Sequence, residues 1–199
     1  MKDGIMANIE LNQNTKALIF DCDGTLVDSM PVHLETWEKT ISSLGAKFSY
    51  DFFDSVKGMK GRDIVALFND TFDTKLDPLE TSGLKHKLFR EQMHRVQPIE
   101  QVVKLAVENH KILPMAVVSG GSREDVVGEL KHTGIDHLFD VILTADDDFK
   151  PKPAPDLFLQ AAKILNVKPE ECQVFEDGDL GIEAAEKAGM IITDVRKYL

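Results

Sequence analysis

The sequence predicts an α/β fold: a Rossmann-like parallel sheet core carrying an inserted, small α-helical cap domain. Three observations predict it. Short apolar runs alternate with amphipathic stretches through most of the chain, the pattern of a parallel sheet with crossover helices. The first run, Lys16 to Asp21, is apolar on both faces, as a doubly covered parallel strand must be. Residues 49–96 interrupt the alternation with helical periodicity and no convincing strand.

The elements follow in order. After KALIFD, Gly24 and Thr25 break the strand. Ser29 and Pro31 then open a helix with Leu34, Trp37, Ile41 and Leu44 on one face, stopped by Gly45. Tyr50, Phe52, Phe53 and Val56 mark a short helix ending at Gly58, and Ile64, Val65, Phe68 and Phe72 stripe another. A long charged helix is expected from Pro78 to Val96, with Leu84, Leu88 and Met93 on its buried side. These four helices place the cap at residues 29–97 and the core at residues 1–28 and 98–199, with hinges near Ser29 and Gln97-Pro98.

The alternation then resumes. A helix from Ile99 to His110 precedes a strand from Pro114 to Ser119, and Ser122 with Asp125 resembles a capping box for the next helix. Phe139 to Leu143 is a strand. Pro155 opens a helix carrying Phe158, Ala161, Ala162 and Leu165 at i, i+3, i+4 and i+7. Gln173 to Phe175 is a strand, a further helix ends at Gly189, and MIITDV is the last strand.

Composition bounds the function. At 199 residues the chain suffices for one core with a modest insertion, burying about 70% of its unfolded surface. A net charge of −11 argues against a nucleic-acid partner, which requires a basic face. Any anionic substrate must therefore meet a local positive site. Cys22 and Cys172 stand in no metal-ligand spacing and read as reduced thiols. The opening segment MKDGIMANIELNQNT has no apolar core, so it is not a signal peptide, and no window reaches the ~18 apolar residues of a membrane span. A cytoplasmic monomer is expected, since core and cap account for the apolar stripes.

In an open parallel sheet, ligands bind beyond the carboxyl ends of the strands. Each unusual polar cluster here follows a strand: Asp21/Asp23, Ser119, Lys150/Lys152 and Glu176/Asp177. A carboxylate such as Asp21 is ionised near neutrality and can attack phosphorus without a base, while Asp23 can exchange a proton with a leaving oxygen or water. A calcium loop does not fit, because Gly24 is at the fourth position rather than the sixth and Val32 stands where a bidentate glutamate belongs. Ser119 with Gly120 offers a hydroxyl and approachable amides for phosphate, although a serine at a strand end also serves as a simple cap. Lys152, between two prolines, can fix its charge beside a carboxylate and a phosphate; Lys150 is the solvated counterpart. Glu176-Asp177 suits a hard cation such as Mg²⁺. The run Asp146–Asp148 reads as a solvated turn.

The set DCDGT, Ser119, KPAPD and FEDGDLGIEAAEKAGM resembles the haloacid-dehalogenase superfamily of phosphohydrolases, over roughly Lys16 to Val195. The insertion after the first motif is similar to the helical-cap members, among them the sugar-phosphate phosphatases and β-phosphoglucomutase. The resemblance implies Asp21 as nucleophile and Asp23 as general acid/base, Asp23 also giving its backbone carbonyl to Mg²⁺. It implies Ser119 on the transferring phosphoryl group, with Gly24, Thr25 and Gly120 beside it, Lys152 bridging that group to Asp21, and Asp177 and Glu176 at the metal. His33 occupies a position that couples the general acid to substrate in those relatives; Trp37 is expected in the cap core.

The cap is expected to read the substrate. Lys57, Lys60 and Arg62 on one loop, with Lys85, His86, Lys87 and Arg90 on the last cap helix, are candidates to hold a distal hydroxyl or second phosphate; a solvated charged face is the alternative for each. Mutase members carry an arginine at the place of Gly61, whereas here arginine falls one place later. The expected activity is a Mg²⁺-dependent phosphatase acting on small sugar phosphates, such as fructose 1-phosphate, through an aspartyl-phosphate. The alternative is a β-phosphoglucomutase, and a remote one is a non-catalytic phospho-acceptor switch, which would lack the helical insertion.

Overall fold

The computed structural model describes residues 9–199; the start of the expected core segment, residues 1–8, and with it most of the segment tested for a signal peptide, lies outside them. Five parallel strands form the sheet, in the order β5-β4-β1-β6-β7: β1 (Ala17–Phe20), β4 (Met115–Val118), β5 (Val141–Leu143), β6 (Cys172–Glu176) and β7 (Ile191–Asp194). β1 is central, pairing with β4 on one side and β6 on the other.

Period-two alternation divides β1 between two cores. Leu18 and Phe20 face one core with Phe175, Val117 and Leu130, which packs under α5 (Glu100–Asn109) and α6 (Arg123–His132). Ala17 and Ile19 face the other with Val174, Phe158 and Ala184, under α7 (Asp156–Leu165) and α8 (Asp179–Lys187). Phe20 stacks on Phe175 with ring centroids 4.8 Å apart. The loops leaving β1, β4 and β6 therefore open on one edge of a sheet buried on both faces.

Between β2 (Val27–Asp28) and β3 (Gln97–Pro98) lie α1 (Met30–Ser43), α2 (Tyr50–Ser55), α3 (Gly61–Phe72) and α4 (Pro78–Glu91). β2 and β3 pair antiparallel, Val27 with Pro98, so the chain leaves and re-enters the core at one place. α1, α2 and α3 share a hydrophobic cluster built on Trp37, Ile41, Phe53, Val65 and Phe68, with Trp37 and Phe53 centroids 5.0 Å apart, while Phe89 of α4 packs into the core of Leu18 and Phe20. The four helices lie closed over the sheet edge. Gly58 O packs on Gly120, where a Cβ would fall only 2.0 Å from that oxygen, and Lys60 Nζ donates to Ala145 O at 2.5 Å.

Several boundaries differ from expectation. α4 ends at Glu91 and a separate short turn spans Met93–Arg95. Its buried face is Thr81, Ser82, Lys85 and Phe89, not Leu84 and Leu88, which are half-buried; Ser82 and Lys85 of this face line a cleft that is partly polar, while Phe89 packs into the core. β5 begins at Val141, since Phe139 packs edge-on against Phe20 before the strand starts. Asp146 and Asp147 are not merely solvated: they accept from Arg123, and Asp147 also from Thr144 N at 2.7 Å.

The Phe20–Phe175 stack gives the first prediction. Phe175→Ala should lower the unfolding free energy by about 3–5 kcal/mol, read as a fall in the urea midpoint at unchanged m-value.

Candidate active site

The register of the sheet sets the electrostatic problem. Phe20 is level with Phe175, and Asp21 N donates to Phe175 O at 3.0 Å, so Asp21 and Glu176 emerge side by side from β1 and β6. Lys152, from the loop before α7, lies between them: its Nζ is 2.6 Å from Asp21 Oδ1 and 2.6 Å from Glu176 Oε1. The lysine is 4% exposed. Burial works against its charge, yet Asp21 and Glu176 outweigh burial and raise its pKa above the ordinary lysine value.

One ammonium does not balance the acids gathered here. Oxygens of Asp21, Glu176 and Asp177 lie within 4.8 Å of one another. Burial pushes the Asp21 carboxyl well up; Lys152 pulls it down, while Glu176, Asp177 and Asp23 push it up again. Asp177 is pushed up to about 6, by burial and then by Glu176, against the hydrogen bond from Thr25. Three hard oxygen donors that resist sharing one site make a set that a divalent cation fits, and the all-oxygen chemistry suits Mg²⁺.

Thr25 and Gly24 act on this side of the site. Thr25, expected at the phosphate, is fully buried and donates its hydroxyl to Asp177 Oδ1 at 2.9 Å, so it orients a carboxylate instead. Gly24 has φ +80°, and a Cβ there would lie 2.3 Å from Asp177 Oδ2; both facts require glycine.

Asp23 turns to the other side. Its Oδ1 accepts from Ser29 Oγ at 2.6 Å and from His33 Nε2 at 2.7 Å, and its Oδ2 is 3.4 Å from Ser119 Oγ. Burial would raise this carboxyl, but His33, Ser29 and Lys85 outweigh it and hold it well below the usual range. Lys85 Nζ is 2.5 Å from His33 Nδ1. An ammonium only donates, so Nδ1 carries the lone pair and Nε2 carries the hydrogen toward Asp23. Burial and Lys85 pull the His33 pKa down, against Asp23, in keeping with that neutral ring. His33 also stacks on Phe89 with centroids 4.0 Å apart.

The sequence-predicted residues thus converge, with differences in role. Asp21, Asp23, His33, Ser119, Gly120, Glu176 and Asp177 line one cleft of about 330 Å³, with Lys152 beneath it. Lys85 is buried on His33 instead of waiting for a distal phosphate. Lys57 lies in the wall but pairs with Asp54 at 2.5 Å, and Arg62 at the rim is largely exposed, 3.7 Å from Asp63.

Two buried acids escaped sequence reasoning. Ser122 caps α6 as expected, accepting from Asp125 N at 3.3 Å, but Asp125 does not complete the capping box. Its carboxylate crosses to the cap, accepting from His86 Nδ1 and, at 3.3 Å, from Arg90. Glu129, also on α6, is wholly buried: Cys22 Sγ donates to its Oε2 at 3.8 Å, while its Oε1 lies 3.8 Å from His33 Nε2 without a hydrogen-bond partner among the described residues. Burial, and then Asp23, push its carboxyl well above the usual range. The apolar neighbours Val126 and Leu130 mask both positions.

Comparison with known proteins agrees with this geometry. A family model described as haloacid dehalogenase-like hydrolase matches residues 18–195. The fructose-1-phosphate phosphatase YqaB of Escherichia coli is 34% identical over 90% of this chain and 95% of its own. The β-phosphoglucomutase of Bacillus subtilis is 28% identical over 90% and 83%. The crystal structure of β-phosphoglucomutase from Clostridium difficile superposes with a TM-score of 0.76, at 26% identity, covering 89% of this chain and 83% of that one.

The Asp125 clasp gives a prediction with a definite sign. Burial would raise its carboxyl, but His86, Lys85 and His33 hold it below the ordinary aspartate value. A depressed folded pKa contributes stability above the unfolded value of about 3.9, and that stability is lost as pH falls through the folded pKa. Asp125→Asn should therefore cost about 1–3 kcal/mol at pH 7, and the gap in urea midpoint from wild type should be smaller at pH 3 than at pH 7. An equal gap at both pH values would mean that charge is not what Asp125 contributes.

Proposed function

We propose that this chain, which belongs to the haloacid dehalogenase-like hydrolases and is a phosphoric monoester hydrolase, is a Mg²⁺-dependent phosphatase of small sugar phosphates, of the hexose-phosphate type. The observation that carries the reading is the division of one short segment into two environments: Asp21 beside Lys152, and Asp23 beside His33. Residues 29–97 serve as the cap and the rest as the catalytic core. The likeness to a fructose-1-phosphate phosphatase supports a hexose phosphate as the substrate class.

Each side chain has a task that its contacts support. Lys152 holds Asp21 Oδ1, leaving the other oxygen to attack phosphorus. An aspartyl-phosphate forms as the bond from phosphorus to the sugar oxygen breaks, and Asp23 protonates that oxygen. Water then attacks the acyl-phosphate, Asp23 takes its proton, and inorganic phosphate leaves. Because Asp23 rests as a carboxylate, the acid step needs a proton. The line from Lys85 Nζ through His33 to Asp23 Oδ1 supplies one, as Nδ1 gains a hydrogen while Nε2 gives one up. Ser119 and the amides at Gly120 receive the phosphoryl oxygens. Mg²⁺ held by Asp21, Asp177, Glu176 and the Asp23 carbonyl would supply the charge that lets a phosphate approach a carboxylate. The buried, free cysteines are in keeping with the reducing cytoplasm, and no helix among the described residues is long and apolar enough to cross a membrane.

A mutase reading is second, favoured by likeness to the Bacillus subtilis enzyme. Against it stands Gly61, where a Cβ would already lie 2.8 Å from Ser82 Oγ, while Arg62 turns outward to solvent. In a hexose-phosphate panel with Mg²⁺, we expect steady release of inorganic phosphate and no glucose 6-phosphate from β-glucose 1-phosphate. Asp21→Asn should reduce turnover by a factor of at least ~10⁴, and EDTA should abolish it reversibly. Undiminished turnover in Asp21→Asn would exclude the covalent route.

A further inference from the structure

Most of the positive charge that the cap brings to the cleft is already committed. Lys60 is held by Ala145 O, Lys85 by His33 and Lys57 by Asp54. His86 and Arg90 meet the Asp125 carboxylate, and Arg90 also meets Glu124. Arg62 keeps its guanidinium in water at the rim. The far end of the cleft therefore offers no inward, unpaired cation among the described residues.

It does offer two unused hydrogen-bonding atoms. Ser82 and His86 stand one turn apart on α4, so both face the same side. That side looks onto Gly61, the first residue of α3: a Cβ built there would meet Ser82 Oγ at 2.8 Å and His86 Nε2 at 3.3 Å. Neither atom has a hydrogen-bond partner among the described residues, although Ser82 is 7% exposed. Asp125 engages Nδ1 of His86, which fixes the ring and turns Nε2 into the cleft. A hydroxyl and an imidazole nitrogen can each serve a sugar hydroxyl, which both donates and accepts.

We propose that Ser82 Oγ and His86 Nε2, opposite the bare Cα of Gly61, form a subsite that hydrogen-bonds the uncharged hydroxyls of a sugar monophosphate, with Asp125 as the positioning residue for His86. This deepens, and rests on, the sugar-phosphatase reading. It assigns the phosphate to the core and the sugar hydroxyls to these two atoms of α4, and, with the lysines and arginines around the cleft already paired or turned to solvent, it makes a second phosphate on the substrate unwelcome. Gly61 lets α3 approach Ser82 Oγ and His86 Nε2 this closely, and a methyl there would displace them. Its φ is not left-handed, and alanine is an ordinary residue in a first helical turn, so Gly61→Ala folds while shifting the two atoms that form the subsite.

The test measures kcat/KM for fructose 1-phosphate, glucose 6-phosphate, fructose 1,6-bisphosphate and p-nitrophenyl phosphate, using the full chain with Mg²⁺. For wild type, a hexose monophosphate should exceed both p-nitrophenyl phosphate and the bisphosphate. The ratio of the best hexose monophosphate to p-nitrophenyl phosphate should fall about five- to tenfold in Ser82→Ala and His86→Phe, one hydrogen bond each, and at least about tenfold in Gly61→Ala, chiefly through KM. General damage to the fold lowers both activities and leaves the ratio unchanged. An unchanged ratio in Gly61→Ala and Ser82→Ala, or a wild-type preference for the bisphosphate, overturns the subsite while leaving the phosphatase reading intact. Turnover of p-nitrophenyl phosphate with no hexose monophosphate accepted overturns the sugar reading, and the subsite with it.

Discussion

The Lys152 ammonium, buried between Asp21 and Glu176, is the contact on which the rest of the site depends. The register of β1 against β6 forces these two carboxylates out of the sheet side by side, and Asp177 follows immediately. Two unit charges 4 Å apart repel by about 4 kcal/mol at an effective dielectric near 20, and the sheet gives them no room to separate. Lys152 makes that register tolerable. It comes from a loop outside the sheet, so the sheet's own pairing and the electrostatics of its edge are secured by different parts of the chain. The remaining imbalance, evident in the raised carboxyls of Asp21 and Asp177, is what the proposed cation would offset, and through it a phosphate could approach.

The same segment handles protons by turning its second acid away from that cluster. Asp23 lies two residues beyond Asp21 yet is served by Ser29, His33 and Lys85 rather than by Lys152. Paired titratable groups whose surroundings push their pKa values apart take different tasks. Here Asp21 is pushed up and Asp23 down. Since Lys85 and His33 belong to the helices that cover the site, the proton line exists only with those helices in place. In the proposed reaction, closure and proton transfer are therefore one event in structural terms.

What the sequence made legible follows from what each kind of pattern encodes. The alternation of apolar runs with amphipathic stretches foretold the sheet and its helices, because strands buried on both faces leave a plain signal at Ala17–Phe20 and Met115–Val118. The strand-end acids, Ser119 and Lys152 were legible because a parallel sheet collects such residues at one edge. The inner face of α4 was misread for the same physical reason. Periodicity finds a face that seeks apolar partners, and Leu84 and Leu88 suggested one, whereas the buried face is Thr81, Ser82, Lys85 and Phe89, of which Ser82 and Lys85 line a cleft that is partly polar. Asp125 and Glu129 were hidden among Val126 and Leu130. A buried acid is recognisable only with its partner, and His86 and His33 lie 39 and 96 residues away in sequence.

That misread face also explains how an acidic chain of net charge −11 divides the work of recognition. The cap brings cations to the core, and the core answers with a carbonyl at Ala145 and a carboxylate at Asp125. These pairs hold the cap down without help from a ligand, so they are not available to grip one. On the proposed reading, phosphate is then met from below, by Lys152, Ser119, the amides at Gly120 and the proposed cation. What the cap has left to offer is two hydrogen-bonding atoms without partners among the described residues, Ser82 Oγ and His86 Nε2. On the proposed reading, charge in this fold serves closure and chemistry, and selectivity falls to hydrogen bonds and shape.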